Sequence, residues 1–239
     1  MLLLHHSLAL STAPERQQAT LQHSMAIRYT RTEERLNVWS HAAGMAIVMA
    51  ASAALLAAYG QADSPWSALG LGLYALGATA SYAASTAYHA TPRRHPMRER
   101  LRRVDHAAIY WHIAGSYAPI TLVALREAGG WGWGLFAFVW LCAAAGTAAT
   151  FVNLREHSNT ETLCFVGMGL SVLTAFGPLS ACTCGATMAW IVAEGVMYVS
   201  GAAFYSLNKR RYMHSVFHFF VLAGTLCHLM ALAQMFSHL

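Results

Sequence analysis

Charged residues are scarce in this chain. They make up 10% of its 239 residues, whereas hydrophobic residues make up 56%; a typical soluble domain has about 25% charged residues. Runs of about 20 apolar residues without charge predict transmembrane helices. Seven such runs in succession argue against a large soluble helical protein, and none alternates like a strand of a membrane barrel. The predicted spans are 38–59, 66–89, 106–125, 131–152, 162–180, 187–207 and 213–236.

Lysine is almost absent: Lys209 stands alone against fourteen arginines. All the basic residues except Arg126 fall before the first span or in every second loop. The positive-inside rule therefore predicts a cytoplasmic N-terminus and an outside C-terminus. The net charge of +5 then reflects topology and contact with anionic membrane lipids, not nucleic acid. Abundant arginine and alanine favour a bacterial source, and hence the plasma (inner) membrane.

Cysteine patterns typical of disulfides or zinc knuckles are missing. Cys182 and Cys184 lie one residue apart, a poor spacing for a mutual disulfide, on the predicted outer side. Cys142, Cys164 and Cys227 fall in apolar spans, where we expect small core residues. The sequence also lacks a phosphate-cradling glycine loop and an internal repeat.

The N-terminal segment lacks the features of a signal peptide, because no positive charge precedes its short apolar run. We expect residues 1–37 to form a cytoplasmic, partly disordered segment ahead of a seven-helix transmembrane domain at 38–239. Met1 and Met25, which precedes a basic stretch, both remain candidate start sites.

Polar residues at the span ends provide the main clue to function. His89 ends the second span, Asp105 precedes the third, and His214 and His218 open the last. Because successive spans alternate in direction, all four lie at the same, predicted cytoplasmic, side. His214 and His218 are four residues apart, so both project from one helical face. Ser85 and His89 repeat that spacing.

Three neutral imidazoles with one open position are typical of a catalytic zinc site. Asp105 would orient a water or act as general base, and Ser85 would hydrogen-bond a substrate carbonyl or its developing oxyanion. Each residue also has an ordinary interpretation: the histidines as helix-packing residues, and Asp105 as a charge match at a helix start. Their shared depth favours the metal site over these ordinary roles, since placing polar groups inside a bilayer costs free energy.

Other polar residues compete for the same roles. Glu194, inside the sixth span, is expected to hydrogen-bond a neighbouring helix or to line a cavity, and no catalytic role is assigned to it. Four further histidines lie in or beside the spans: His41, His106, His112 and His228.

These motifs resemble the hemolysin III family, which belongs with the progestin and adipoQ receptors. The more distant alkaline ceramidases share the Ser, Asp and three-His pattern. The resemblance covers residues 33 to 235 and keeps the motif order. It rests on Glu33-Glu34-x-x-Asn37-x-x-Ser40-His41-x-x-Gly44, Ser85-x-x-x-His89, Asp105 with Gly115-Ser116-Tyr117-x-Pro119, and His214-x-x-x-His218 with Ala223-Gly224-Thr225-x-x-x-His228.

The resemblance implies an N-in, C-out seven-helix bundle. It also implies zinc held by His89, His214 and His218, with a water held by Asp105. The sequence therefore predicts a zinc-dependent hydrolase that cleaves an amide or ester of a lipid-like substrate at the cytoplasmic leaflet. Two alternatives stay open: a pore-forming cytolysin, as the family name suggests, and a membrane sensor or homeostasis protein in which zinc is structural.

Overall fold

The computed structural model describes residues 29–61, 64–153, 159–207 and 210–238. Of the predicted N-terminal segment 1–37, residues 1–28, with both candidate start sites, lie outside these ranges, while 29–37 are described and lead into the first helix. The described residues form seven helices and no strands. They are α1 (Arg31–Tyr59), α2 (Ser64–Ala90), α3 (Arg98–Pro119), α4 (Trp131–Asn153), α5 (Asn159–Cys182), α6 (Gly185–Ser206) and α7 (Met213–Ser237).

The seven helices confirm the predicted all-helical class. Each contacts the next along the chain, and α7 also packs against α1, so the helices form a closed ring. Five of them, α1 and α4 to α7, are long and apolar enough to cross a membrane. The more polar α2 and α3 are not among the five. Many of their Ser, Tyr and His side chains are nevertheless buried.

Glycines let α2 and α3 approach closely. A Cβ atom added to Gly115 of α3 would lie 2.8 Å from the carbonyl oxygen of Leu73 in α2, and one added to Gly77 would meet the backbone of Trp111. Close packing through small residues is the usual means of helix association in lipid. It holds together the two helices that carry His89 and Asp105.

Two prolines, Pro119 and Pro178, coincide with irregular turns in the helices. Regular α3 ends at Pro119 and continues as a π-helical turn, Ile120–Ala124. In α5 a 3₁₀ segment, Ser171–Ala175, interrupts the helix just ahead of Pro178, because proline removes a hydrogen bond and clashes with the carbonyl four residues earlier. The Tyr117 hydroxyl of α3 accepts a bond from the backbone N–H of Val172, at 2.9 Å.

Three cysteines were expected in the core, but none of them is fully buried. Cys142 and Cys227 are half-buried and Cys164 is exposed, so the core prediction is wrong for Cys164. Apolar residues of all sizes are exposed on the outer surface of this ring, including Leu163 beside Cys164. A small apolar side chain in a membrane helix therefore carries little information about which face is buried.

Candidate metal centre

Three imidazoles meet where α2 ends and α7 begins. Nε2 of His214 lies 3.2 Å from Nε2 of His89 and 3.1 Å from Nε2 of His218. Two nitrogens bound to one tetrahedral zinc ion at about 2.0–2.1 Å would be about 3.3 Å apart. All three rings are buried, with at most 9% of any residue exposed. This group could therefore hold a metal ion.

A carboxylate fixes the orientation of the His89 ring. Nδ1 of His89 lies 2.7 Å from Oε2 of Glu34, whose other oxygen accepts a bond from Arg98 at 2.6 Å. Because Nδ1–H donates to the carboxylate, the lone pair of His89 is left on Nε2, where the three rings converge. A histidine that binds a metal is usually held in this way by an outer carboxylate or carbonyl.

The other two rings are held more loosely by polar and aromatic neighbours. The Ser40 hydroxyl lies 3.4 Å from Nδ1 of His218, and the His41 ring stacks on His218 with centroids 3.7 Å apart. The Tyr29 ring stacks on His214 at 4.8 Å. Burial raises the pKa of the Tyr29 phenol well above its ordinary value, so that this ring stays neutral.

The start of α1 joins α2 to α7. Thr30 and Glu33 form a capping box that starts the helix, and Glu33 also accepts a bond from the backbone N–H of Tyr212 at 2.7 Å. Tyr212 has a left-handed conformation, φ +65°, immediately before α7. The same carboxylate therefore fixes the first residues of α1 and the entry into α7.

Asn37 continues this connection one turn further along α1. It is fully buried, and its Oδ1 accepts a bond from Ser215 of α7 at 2.7 Å. Its Nδ2 lies 3.4 Å from Nδ1 of His89. A polar side chain of α1 is thus inserted between the two helices that carry the three histidines.

Asp105 and Ser85 lie on the wall of an interior cavity of about 200 Å³ that His214 and His218 also line. Ser85 is buried and lines the same cavity as Asp105. The fold therefore brings all five predicted site residues to one region. Three of them form the imidazole group, and two face the space beside it.

The sequence-based prediction assigned no role to Glu34, Asn37 or Arg98. The first two belong to the motif at the start of α1, and their spacing of three residues was the available signal. Arg98 is one of six arginines in its loop, and nothing in the sequence distinguishes it from the others. Only the contact with Glu34 in the structure distinguishes Arg98 from the other arginines.

Most of the cavity wall between its ends is apolar, with side chains such as Ile109, Phe165 and Val166. At the far end, Glu194 of α6 lies 2.9 Å from Nδ1 of His228 in α7. Glu194 thus bonds a neighbouring helix and lines a cavity, the two possibilities that the sequence left open. His106 instead pairs with Glu161, at 2.8 Å.

Comparison with known proteins places these features in a family. Residues 29–229 match the family described as "Haemolysin-III related". The chain belongs to the haemolysin III family. The match contains all of the histidine cluster, together with Ser85, Asp105 and Glu34.

Individual relatives of this haemolysin III protein come from bacteria and animals. "Hemolysin-3" of Bacillus cereus is 31% identical over 81% of this chain and 87% of the relative. A "Hemolysin-3 homolog" of Bacillus subtilis is 28% identical over 82% of this chain and 91% of the relative. The human "Monocyte to macrophage differentiation factor" is 28% identical over 86% of both chains. Together these relatives confirm a multi-pass membrane protein of the progestin and adipoQ receptor superfamily.

Proposed function

We propose that this membrane protein is a zinc-dependent hydrolase that cleaves an amide or ester bond of a lipid-like substrate at the cytoplasmic leaflet. The observation that carries the proposal is the shared location of the imidazole group, Asp105 and Ser85 at one end of a largely apolar cavity. A purely structural ion would have no need of a carboxylate, a hydroxyl and an apolar chamber beside it.

Zinc suits the donor set. Imidazole nitrogens are ligands that zinc prefers, and three protein ligands leave the fourth position open, as in catalytic zinc sites. The outer carboxylate of Glu34 is the partner expected for a zinc-binding histidine. Zinc held by His89, His214 and His218 would supply a Lewis acid that polarises a carbonyl group and lowers the pKa of a water to about 7.

The remaining chemistry belongs to two side chains of this protein. The Asp105 carboxylate accepts the proton of the attacking water and returns it to the departing amine or alcohol, as a general base and then a general acid. The Ser85 hydroxyl donates a hydrogen bond to the oxyanion that develops on the carbonyl. The apolar wall holds the hydrocarbon chain and excludes bulk water from the reacting bond.

The substrate approaches from the membrane. The exposed outer faces of the helices are apolar, and the distribution of arginine favours a cytoplasmic position for the end of α2 and the starts of α3 and α7. An acyl chain that enters between helices reaches the cavity without leaving the bilayer, while its headgroup stays near the arginine-rich start of α3.

The proposal is tested with purified protein loaded with zinc and presented with ceramides, acylated amino acids and lysolipids. We expect mass spectrometry to detect a released fatty acid, and this release to fall at least a hundredfold in Asp105→Asn. No turnover on any of the three classes contradicts the enzyme. In that case a fall in melting temperature on zinc removal identifies a structural ion.

The names of the bacterial relatives, "Hemolysin-3" and "Hemolysin-3 homolog", raise pore formation as an alternative function. Dye release from liposomes separates the two. If dye release persists undiminished in His214→Ala, the protein forms a pore that does not depend on the metal centre. Hydrolysis of the membrane lipids would then not be the cause of the release.

A further inference from the structure

The cavity extends from the metal centre to a second polar group, which the proposed hydrolysis does not use. His214 and His218 line one end, and Glu194 and His228 line the other. His228 lies ten residues beyond His218 in α7, which is about 15 Å along the helix axis. That distance is about half of the ~30 Å apolar core of a bilayer. The second group therefore lies deep inside the bundle.

One nitrogen of the deep histidine is unpaired. Nδ1 of His228 lies 2.9 Å from Oε2 of Glu194, and only 1% of the His228 side chain is exposed. Its Nε2 is buried and has no hydrogen-bond partner within the described part of the chain. A buried nitrogen without a partner costs free energy and requires an explanation.

Two neighbouring side chains have the same property. The Tyr74 ring of α2 packs on His228 with centroids 4.7 Å apart, and its hydroxyl is buried without a partner among the residues that the structure describes. Nε2 of His112, on the α3 wall of the cavity, is likewise buried and unpaired in the described ranges. The imidazoles of His112 and His228 both line the cavity, whereas Tyr74 packs on His228 and is not part of the lining.

We infer that this deep group binds a hydroxyl group carried on the hydrocarbon chain of the molecule that occupies the cavity. A hydroxyl both donates and accepts, so it satisfies Nε2 of His228 whether or not that atom carries a proton, and it can bond Nε2 of His112, which also lines the cavity. A carbonyl can only accept and an ammonium can only donate, so neither matches both partners in every protonation state.

Charge in the cavity argues against an anionic occupant. Its described lining includes the carboxylates of Asp105 and Glu194 and no lysine or arginine. Burying a phosphate or carboxylate group beside Glu194 without a cation would be strongly unfavourable. The substrate class that fits is a neutral long-chain amide or ester with a hydroxyl on the chain, well removed from the cleaved bond.

This assignment rests on the proposed function only for the position of the cleaved bond, because binding at the deep group does not require turnover. The probes are stearamide and its mid-chain hydroxy derivative, added to the full-length protein in nanodiscs. Competition with a fluorescent fatty amide measures both affinities. We expect the hydroxy probe to bind the unmodified protein about tenfold more tightly, the value of one good hydrogen bond.

His228→Phe replaces the imidazole by an apolar ring and is expected to abolish the preference while stearamide binds as well as before, a pattern that misfolding cannot produce. His112→Phe, which removes the second unpaired nitrogen that lines the cavity, should reduce the preference. Ser67→Ala is the matched control: Ser67 is fully buried and lacks a described partner, but it does not line the cavity. It should leave the preference unchanged.

Equal affinities of the two probes for the unmodified protein would overturn the assignment and leave water as the partner of these atoms. A preference that survives in both His228→Phe and His112→Phe would do the same. Asp105→Asn separates the two proposals, since it should lose hydrolysis and keep the preference for the hydroxy probe.

Discussion

The Glu34 carboxylate lies 2.7 Å from Nδ1 of His89, while Nε2 of the same ring lies 3.2 Å from Nε2 of His214. One imidazole thus links a carboxylate at the start of α1 to the entry of α7. Arg98 holds the carboxylate from the other side, at 2.6 Å. The three imidazoles are therefore held in a converging arrangement by residues of α1 and α3 as well as by their own helices.

We expect Glu34→Gln to weaken zinc binding by about 10- to 100-fold, the usual effect of losing the outer partner of a metal-binding histidine. An amide is a weaker acceptor than a carboxylate and can equally present its NH₂ group, so Nδ1–H of His89 is held less firmly. Competition with a chromogenic chelator measures the affinity. Glu99→Gln is the control, because Glu99 pairs with Arg102 near the surface; an equal loss in both variants would contradict the role of Glu34.

Metal content should follow the three histidines. Elemental analysis of the purified protein is expected to find about one zinc per chain, and close to none in His218→Ala, because two remaining imidazoles bind zinc much more weakly. His95→Ala serves as the matched control, since His95 lies in the exposed loop between α2 and α3. Zinc retained at full stoichiometry in His218→Ala would refute the assignment of the ligands.

Asp105→Asn should separate binding from chemistry. The change keeps the size of the side chain and removes its basicity, so we expect zinc content to stay near that of the unmodified protein while hydrolysis falls at least a hundredfold. Ser85→Ala should reduce hydrolysis by about 10²-fold through loss of one oxyanion donor. Normal turnover in Asp105→Asn would rule out the carboxylate as the general base.

Cys184, between α5 and α6, tests the membrane orientation. The distribution of arginine predicts that this connection lies outside the cytoplasm. A variant in which Cys184 is the only cysteine should therefore react with a membrane-impermeant maleimide in intact cells. Labelling that requires permeabilised cells would reverse the predicted topology and move the metal centre to the outer side.

The same thiol provides a pH test. A hydrogen bond from the Thr187 hydroxyl lowers the pKa of Cys184, with help from backbone N–H groups. At a given pH below its ordinary pKa, more thiolate is present than in an unperturbed cysteine, so maleimide reacts faster. The rate should decline only as pH falls through the lowered pKa. Thr187→Val is expected to move the rate profile to higher pH; an unchanged profile would contradict the role of the hydroxyl.

Local patterns were sufficient to predict the helices and part of the site. Runs of apolar residues predicted seven spans; the described residues form seven helices at about those positions, five of them long and apolar enough to cross a membrane. The spacing of His214 and His218 predicted a shared face, because four residues make about one turn. Because successive spans alternate in direction, the sequence also predicted that His89 and Asp105 lie at the same end of the bundle as His214.

Contacts between distant segments were beyond the reach of the sequence. The pairing of Glu34 with His89, and the choice of Arg98 among six arginines in its loop, depend on how α1, α2 and α3 pack. The cavity that joins His218 to His228 depends on which side chains leave space between the helices. Spacing along one helix determines which residues share a face, whereas only tertiary packing decides what that face meets.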